Sequence, residues 1–163
     1  MNINSRIIVG MGDLNCTKNP GVLATIGLGS CVGISLYDPL SKVIGLAHCM
    51  LPDSTKILNN TNLAKFVDTA VIRLINDMAR IGANKRNLKA KIAGGAQMFN
   101  FNSTNELMRI GDRNVEATYK VLGQLCIPIC GEDTGDNYGR TVELYSEDGR
   151  MLIKTIGHGN RVI

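Results

Sequence analysis

The chemistry that this chain can perform starts with one thiol and one imidazole. Cys31 follows Gly27 and Gly29 in the stretch TIGLGSCVGIS, and His48 lies further along in an apolar run. A thiol attacks as the thiolate, and a neighbouring imidazole can hold that ion pair and later protonate a leaving group. The two glycines permit a tight bend, so that the backbone amides of Ser30 and Cys31 converge on an oxyanion. The pattern indicates acyl transfer, although a cysteine and a histidine on adjacent strands are more often packing residues.

Cys31 and His48 can meet only if the strands that carry them form a hairpin. The segment YDPLSK lies between the strands, and its Asp and Pro suit the first positions of a turn. A four-residue loop at 38–41 places Cys31 directly opposite His48, with Cβ atoms about 4.5 to 5.5 Å apart. A slip of one residue would instead pair Cys31 with Cys49, which we otherwise expect to be a small buried hydrophobe. The predicted register gathers a core-facing apolar set: Val32, Ile34, Leu36, Val43, Ala47 and Cys49.

A third group has to orient the imidazole. Thr25 is the nearest candidate in sequence, because its hydroxyl can accept a hydrogen bond from a ring N–H. Asp38 lies at the far end of the hairpin and is a poor candidate. Since an imidazolium stabilises a thiolate, we also expect the pKa of Cys31 to be depressed.

The elements that position these residues predict an α+β fold with mixed sheets and helices on one side, in a single domain over 1–163. Helical periodicity covers 63–81 and 113–125, the second helix with Asp112 as its N-cap. Asp148 and Gly149 predict a hairpin between the last two strand-like runs. The strand-like runs are 6–11, 31–37, 42–50, 88–93, 126–130, 140–145 and 150–156.

Composition narrows the function classes. The formal charge is +4 and the pI is near 8.9, but the basic residues are scattered among acids and few aromatic side chains are available for stacking, so we expect no nucleic-acid partner. We find no signal-like N-terminus and no apolar run of membrane-spanning length, so we expect a cytoplasmic protein without membrane insertion. Five cysteines without a CxxC pair fit a reducing compartment rather than a disulfide framework.

Several other features are weaker candidates for chemistry. Cys126 and Cys130 lack the further ligands of a zinc site, so we predict no metal there. We expect His158 to be a solvated loop residue and 94–96 to be a tight strand exit beside the active site. The polar segment 100–107 is more typical of a solvated loop than of a protein-binding rim. Three neighbouring apolar side chains could anchor a partner protein, but packing within the fold is the more typical role for them: Met98, Phe99 and Phe101.

The segment GVLATIGLGSCVGISLYDPLSKVIGLAHCMLPDS resembles the signature of the CheD family of chemoreceptor glutamine deamidases. The resemblance continues through AKIAGGAQMF, RNVEA and GEDTG, and so covers nearly the whole chain. It implies that Cys31, His48 and Thr25 are the catalytic residues. It also implies α, β and β layers similar to bacterial toxin deamidases, with receptor glutamines as substrate and a CheC-type phosphatase as partner. The reaction itself needs no metal or organic cofactor.

Three functions are compatible with these observations. The first is a receptor glutamine deamidase, and the second is a noncatalytic chemotaxis adaptor that binds a CheC-type phosphatase. The third is a different thiol hydrolase, such as a protein amidase or an esterase. The presence of Thr25, Cys31 and His48 together favours the first and third functions over the second.

Overall fold

Ten strands and two α-helices make up the part of the chain that the structure describes. The structure is a computed structural model, and it describes residues 5–98 and 109–163. Short 3-10 helices lie at Ser54–Lys56 and Lys85–Asn87. The main elements are β1 (Ser5–Ile8), β2 (Leu14–Lys18), β3 (Gly21–Leu28), β4 (Val32–Asp38), β5 (Val43–Cys49), α1 (Val67–Arg80), β6 (Lys89–Gly94), α2 (Ile110–Gln124), β7 (Ile129–Thr134), β8 (Arg140–Tyr145), β9 (Met151–Thr155) and β10 (Gly159–Val162).

The strands form two five-stranded sheets. Sheet I has the strand order β1-β3-β8-β9-β10, and sheet II has the order β2-β5-β4-β6-β7. Each sheet contains one parallel pair, β1 with β3 and β6 with β7, while the other neighbours are antiparallel. Both sheets are therefore mixed, as predicted. Within the described residues, neither helix is long and apolar enough to cross a membrane.

The three layers follow from which side chains are buried on each face of sheet II. One face packs against the apolar stripe of α1 and against Leu122 of α2, and it carries the six residues that were predicted to face the core. The opposite face packs against sheet I, where Leu23, Val142 and Leu144 meet Ile44 and Leu46. The order is helices, sheet II, sheet I, so the predicted α+β fold with α/β/β layers is confirmed. The buried stripe of α1 is Val67, Ala70, Val71, Leu74, Ile75 and Met78.

The β4–β5 hairpin has a different register from the predicted one. His48 lies opposite Gly33, and Asp38 pairs with Val43, so the loop is 39–42 rather than 38–41. Lys42 closes this loop in the left-handed region, with φ 56, and donates its amide to the Asp38 carbonyl. Because the offset is an even number of residues, it leaves every side chain on its predicted face. Cys31 and His48 therefore share a face, but as diagonal rather than direct neighbours.

Other element boundaries also differ from the prediction. Residues 63–66 are not helical: Phe66 forms a strand-like bridge with Leu51, and α1 begins only at Val67. Helix α2 begins three residues earlier than expected, so Asp112 lies in its first turn and pairs with Arg109 at 3.3 Å instead of capping the helix. The predicted strand at 126–130 begins only at 129. Strands β2, β3 and β10 were not predicted.

Candidate functional site

Thr25 and His48 are brought together across the space between the two sheets. Thr25 lies within β3 of sheet I, His48 lies within β5 of sheet II, and both side chains are fully buried. The Thr25 Oγ1 is 2.6 Å from the His48 Nδ1 and 2.6 Å from the Val9 carbonyl oxygen. A hydroxyl has one proton, and the carbonyl can only accept, so Thr25 donates to Val9 and accepts from Nδ1–H. We infer from this network that neutral His48 carries its proton on Nδ1 and presents an unprotonated Nε2.

The Nε2 atom of His48 has no hydrogen-bond partner among the described residues, although it is buried. It lies on the face of sheet II that also carries Cys31, which is 8% exposed. Burial lowers the pKa of His48 and raises the pKa of Cys31, whose own backbone N–H offsets part of that rise. Both groups therefore favour their neutral forms. The expected depression of the pKa of Cys31 is contradicted, because desolvation by burial has the largest effect and raises that pKa.

The turn from sheet I to sheet II carries Cys31. Gly27 has φ 78, a conformation that suits glycine, and the chain then bends through residues 29–31 before β4 begins. Neither Ser30 nor Cys31 uses its amide in the turn and loop hydrogen bonds within 5–98 and 109–163. These are the two amides that the sequence predicts as oxyanion donors.

The carbonyl oxygens of the same turn are all used. Gly29 accepts from the Ala96 amide at 2.9 Å, and Cys31 accepts from the Gly95 amide at 2.8 Å. The Asn114 side chain donates to the Ser30 carbonyl at 3.0 Å. The segment 94–96 is thus a tight strand exit against the Cys31 turn, as predicted. Asn114 was missed, although its spacing from Thr118 and Leu122 along α2 puts a polar residue in a buried stripe.

The sequence comparisons identify the family. A family described as CheD chemotactic sensory transduction matches residues 50–155 of the chain. The chain belongs to the CheD family. A protein of Caldanaerobacter subterraneus subsp. tengcongensis named probable chemoreceptor glutamine deamidase CheD is 59% identical over 99% of this chain and 100% of that protein. The chemoreceptor glutamine deamidase CheD of Halalkalibacterium halodurans is 50% identical, also over 99% of this chain and 100% of that protein.

A comparison with solved structures gives a partial match. The Bacillus licheniformis hypothetical protein YfiH has a TM-score of 0.49 and 17% sequence identity to this CheD-family chain. The match covers 75% of this chain and 50% of YfiH.

The thiol of this CheD-family chain lies outside three grooves of the described residues. Described residues form these three grooves, which have volumes of about 390, 540 and 700 Å³, and neither Cys31 nor His48 lines any of the three. Met98 lies against Gly29 beside the turn and is 46% exposed. The other suggested rim residues, Phe99, Phe101 and the segment 100–107, lie outside the described residues.

The remaining candidates are separated from this site. Cys49 is fully buried on the helix-facing side of sheet II, where desolvation raises its pKa strongly. Cys126 and Cys130 are both exposed, and the described residues contain no group of three side chains that could hold a metal ion. The His158 ring stacks on Tyr138 with ring centroids 4.0 Å apart, so this loop histidine is packed on one face.

Proposed function

We propose that this protein is a glutamine deamidase that converts glutamine side chains of chemoreceptors to glutamate. The names of its relatives support the substrate class. The observation that carries the chemistry is the contact between the Thr25 hydroxyl and the His48 Nδ1, because it leaves the Nε2 unprotonated on the face that carries Cys31. An imidazole held in this tautomer is a base for a neutral thiol.

In the first half of the reaction, His48 Nε2 takes the Cys31 thiol proton as the sulfur attacks the glutamine Cδ. The carbonyl π bond becomes an oxyanion, which the Ser30 and Cys31 amides stabilise. Collapse of this intermediate breaks the C–N bond, and the Nε2 proton goes to the departing nitrogen. The products are ammonia and a thioester on Cys31.

In the second half, His48 takes a proton from water as the water oxygen attacks the thioester carbonyl. The C–S bond breaks, the proton returns to the sulfur, and the side chain leaves as glutamate. Since burial favours the neutral forms of His48 and Cys31, proton transfer in this mechanism accompanies attack rather than preceding substrate binding.

The proposal also includes a location and a second partner. We propose that the protein acts in the cytoplasm. The resemblance to the CheD family supports this location, because it implies substrate glutamines in the cytoplasmic domains of receptors. We further propose that a CheC-type phosphatase binds this protein and competes with receptors. We also propose that the substrate is a glutamine held by a protein rather than a free amino acid, because the contacts around the carboxamide then supply the binding energy.

The test is mass spectrometry of a receptor cytoplasmic fragment after incubation with the protein, since conversion of an amide to an acid changes its mass. We expect Cys31→Ala to abolish conversion and Cys49→Ala, the matched control on the opposite face of sheet II, to retain it. Loss of activity in a folded Cys49→Ala protein with survival in Cys31→Ala would reverse the assignment of the nucleophile.

Free glutamine and a short glutamine peptide serve as further substrates in the same assay. Equal efficiency on all substrates would identify a small-molecule amidase instead. If the protein alone converts no substrate and yet binds the phosphatase, it is an adaptor. If saturating phosphatase leaves receptor deamidation unchanged, the two partners do not share a surface.

A further inference from the structure

Each of the two peptide groups that carry the candidate oxyanion donors is fixed by a hydrogen bond to its carbonyl oxygen. A trans peptide is planar, and its N–H points opposite to its C=O. The Ser30 N–H shares a peptide group with the Gly29 carbonyl, which accepts from the Ala96 amide at 2.9 Å. The Cys31 N–H shares a peptide group with the Ser30 carbonyl, which accepts from the Asn114 Nδ2 at 3.0 Å. Each hydrogen bond therefore fixes the direction of one amide.

Among residues 5–98 and 109–163, only the Asn114 side chain donates to a carbonyl of the 29–31 turn. It is fully buried, and its Nδ2 also donates to the Met50 carbonyl at 3.1 Å, two residues beyond His48. Because both neighbours are carbonyl oxygens, only the amide nitrogen can bond to them, and this fixes the orientation of the side chain. The Asn114 Oδ1 is buried without a partner among the described residues.

Helix α2 supports the other peptide group through its backbone. Gly111 lies directly against the Gly95 and Ala96 carbonyl oxygens, and an added Cβ at Gly111 would collide with both. The Ala96 amide is the donor to the Gly29 carbonyl. The first turns of α2 therefore contact both anchors of the Cys31 turn, one through a side chain and one through close backbone packing.

We propose that Asn114 is a positioning residue that orients and polarises the Cys31 amide for the tetrahedral intermediate. This inference rests on the proposed deamidase function. A carbonyl that accepts a hydrogen bond makes the N–H of its own peptide group a stronger donor. The Asn114 side chain also bonds to the Met50 carbonyl, and it thereby links the Ser30–Cys31 peptide group to the end of β5. This link keeps the oxyanion donor at a fixed position relative to His48.

The test compares Asn114→Leu, which removes the donor at similar volume, with Thr118→Val. Thr118 lies one turn further along the same buried face, and its hydroxyl donates only to the Asn114 carbonyl of the helix itself. For Asn114→Leu on a receptor fragment we expect kcat to fall by about 10 to 100-fold, part of the 10²–10³ that losing a whole oxyanion donor costs. We expect KM to stay within about twofold and the rate of Cys31 alkylation by iodoacetamide to fall much less than kcat, because alkylation forms no oxyanion and needs the Cys31 N–H only for its smaller effect on the thiolate. Thr118→Val should leave all three quantities near those of the wild type.

A second measurement does not depend on activity. The ¹⁵N resonance of the Cys31 amide should shift in Asn114→Leu and stay in place in Thr118→Val, because it reports the hydrogen bond to the Ser30 carbonyl. Asn114→Ala provides the same comparison if the leucine variant does not fold. An unchanged kcat in a folded variant, or a loss of kcat that parallels a loss of alkylation, would overturn the inference. If the wild type deamidates nothing, the proposed function fails, and the amide resonance still decides whether Asn114 fixes the Cys31 amide.

Discussion

At the scale of single residues, the hydroxyl of Thr25 decides which nitrogen of His48 is available. It donates to a carbonyl and accepts from Nδ1–H, so in the proposed mechanism it is an uncharged orienting group where many hydrolases use a carboxylate. An uncharged partner holds the ring in place without stabilising an imidazolium. This agrees with a His48 whose pKa is lowered by burial.

Removal of the Thr25 hydroxyl should slow the reaction without unfolding the protein. In Thr25→Val the Nδ1–H loses its acceptor, and we expect kcat on a receptor fragment to fall by about tenfold or more, a part of the 10²–10⁴ that a general base supplies. Thr25→Ser keeps a hydroxyl at the same carbon and should recover most of the rate. Equal rates for Thr25→Val and the wild type would show that His48 needs no orienting group.

The shifted pKa values of Cys31 and His48 should be visible in how the rate of Cys31 alkylation and kcat/KM depend on pH. Because burial raises the pKa of Cys31, its alkylation by iodoacetamide should reach half its maximal rate above about pH 8.5, the value for an unperturbed thiol. Because the pKa of His48 is lowered, the acid limb of kcat/KM should lie below about pH 6.5. Free cysteine is the control for the alkylation series. A plateau of Cys31 labelling already present at neutral pH would show a preformed ion pair instead.

At the scale of elements, the sequence correctly predicted the features that depend on residues close together in the chain. Alternating apolar residues gave the faces of β4 and β5 correctly, and the Asp148–Gly149 turn gave the hairpin between β8 and β9. The register of β4 with β5 was missed because Lys42, a residue without any turn signature, adopts the left-handed region. Strand β3 was missed because its main partner is β8, far along the chain, and no local pattern reports that pairing.

The site was predictable to the same extent. Cys31, His48 and Thr25 stand out by residue type and by family resemblance, and the hydrogen bond between Thr25 and His48 is present. The Val9 carbonyl and the Asn114 amide were not predicted, because their roles depend on how separate elements pack. The pKa of Cys31 was misjudged because burial cannot be read from spacing.

The strand exit at Gly94 should be intolerant of any side chain. Gly94 has φ 104, and an added Cβ would collide with the Cys31 carbonyl oxygen. We expect Gly94→Ala to lower the free energy of unfolding by about 2 kcal/mol or more and to reduce deamidation. Gly123→Ala is the matched control: its Cβ meets nothing within 4 Å, and it lies in α2, so it should be neutral or stabilising by up to about 1 kcal/mol. Urea denaturation measures both, and equal stabilities would contradict the steric argument.

At the scale of the whole molecule, the two sheets are joined by an ion pair as well as by their apolar faces. Arg140 at the start of β8 is fully buried, and its Nη2 is 3.0 Å from the Asp133 Oδ1 of β7. That nitrogen is not aligned for a hydrogen bond, but the Nε donates to the same oxygen at 3.0 Å. The guanidinium also donates to the Gly135 carbonyl, whose amide in turn bonds to the Gly94 carbonyl. Sheet I is thus tied to the edge of sheet II that carries the strand exit.

Breaking this pair should cost far more than breaking an exposed one. Arg140→Met leaves the Asp133 carboxylate without its buried partner, and we expect a loss of about 3 to 5 kcal/mol in the free energy of unfolding. Arg109→Met is the control, because Arg109 pairs with Asp112 at 3.3 Å with the two side chains 64% and 47% exposed, and it should cost about 1 kcal/mol or less. Similar losses in the two variants would show that the pair between the sheets contributes no more than a surface contact.

The division of Thr25 and His48 between two sheets also determines when activity can appear during synthesis. Cys31 and His48 leave the ribosome early, but the strand that carries Thr25 has β8 as one of its two neighbours, and β8 is synthesised much later. A nascent or truncated chain without β8 carries the nucleophile and the base without a fixed orienting hydroxyl. Under the proposed mechanism, full activity therefore appears only after near-complete folding, and a chain that is still being made reacts more slowly because it lacks the fixed orienting hydroxyl.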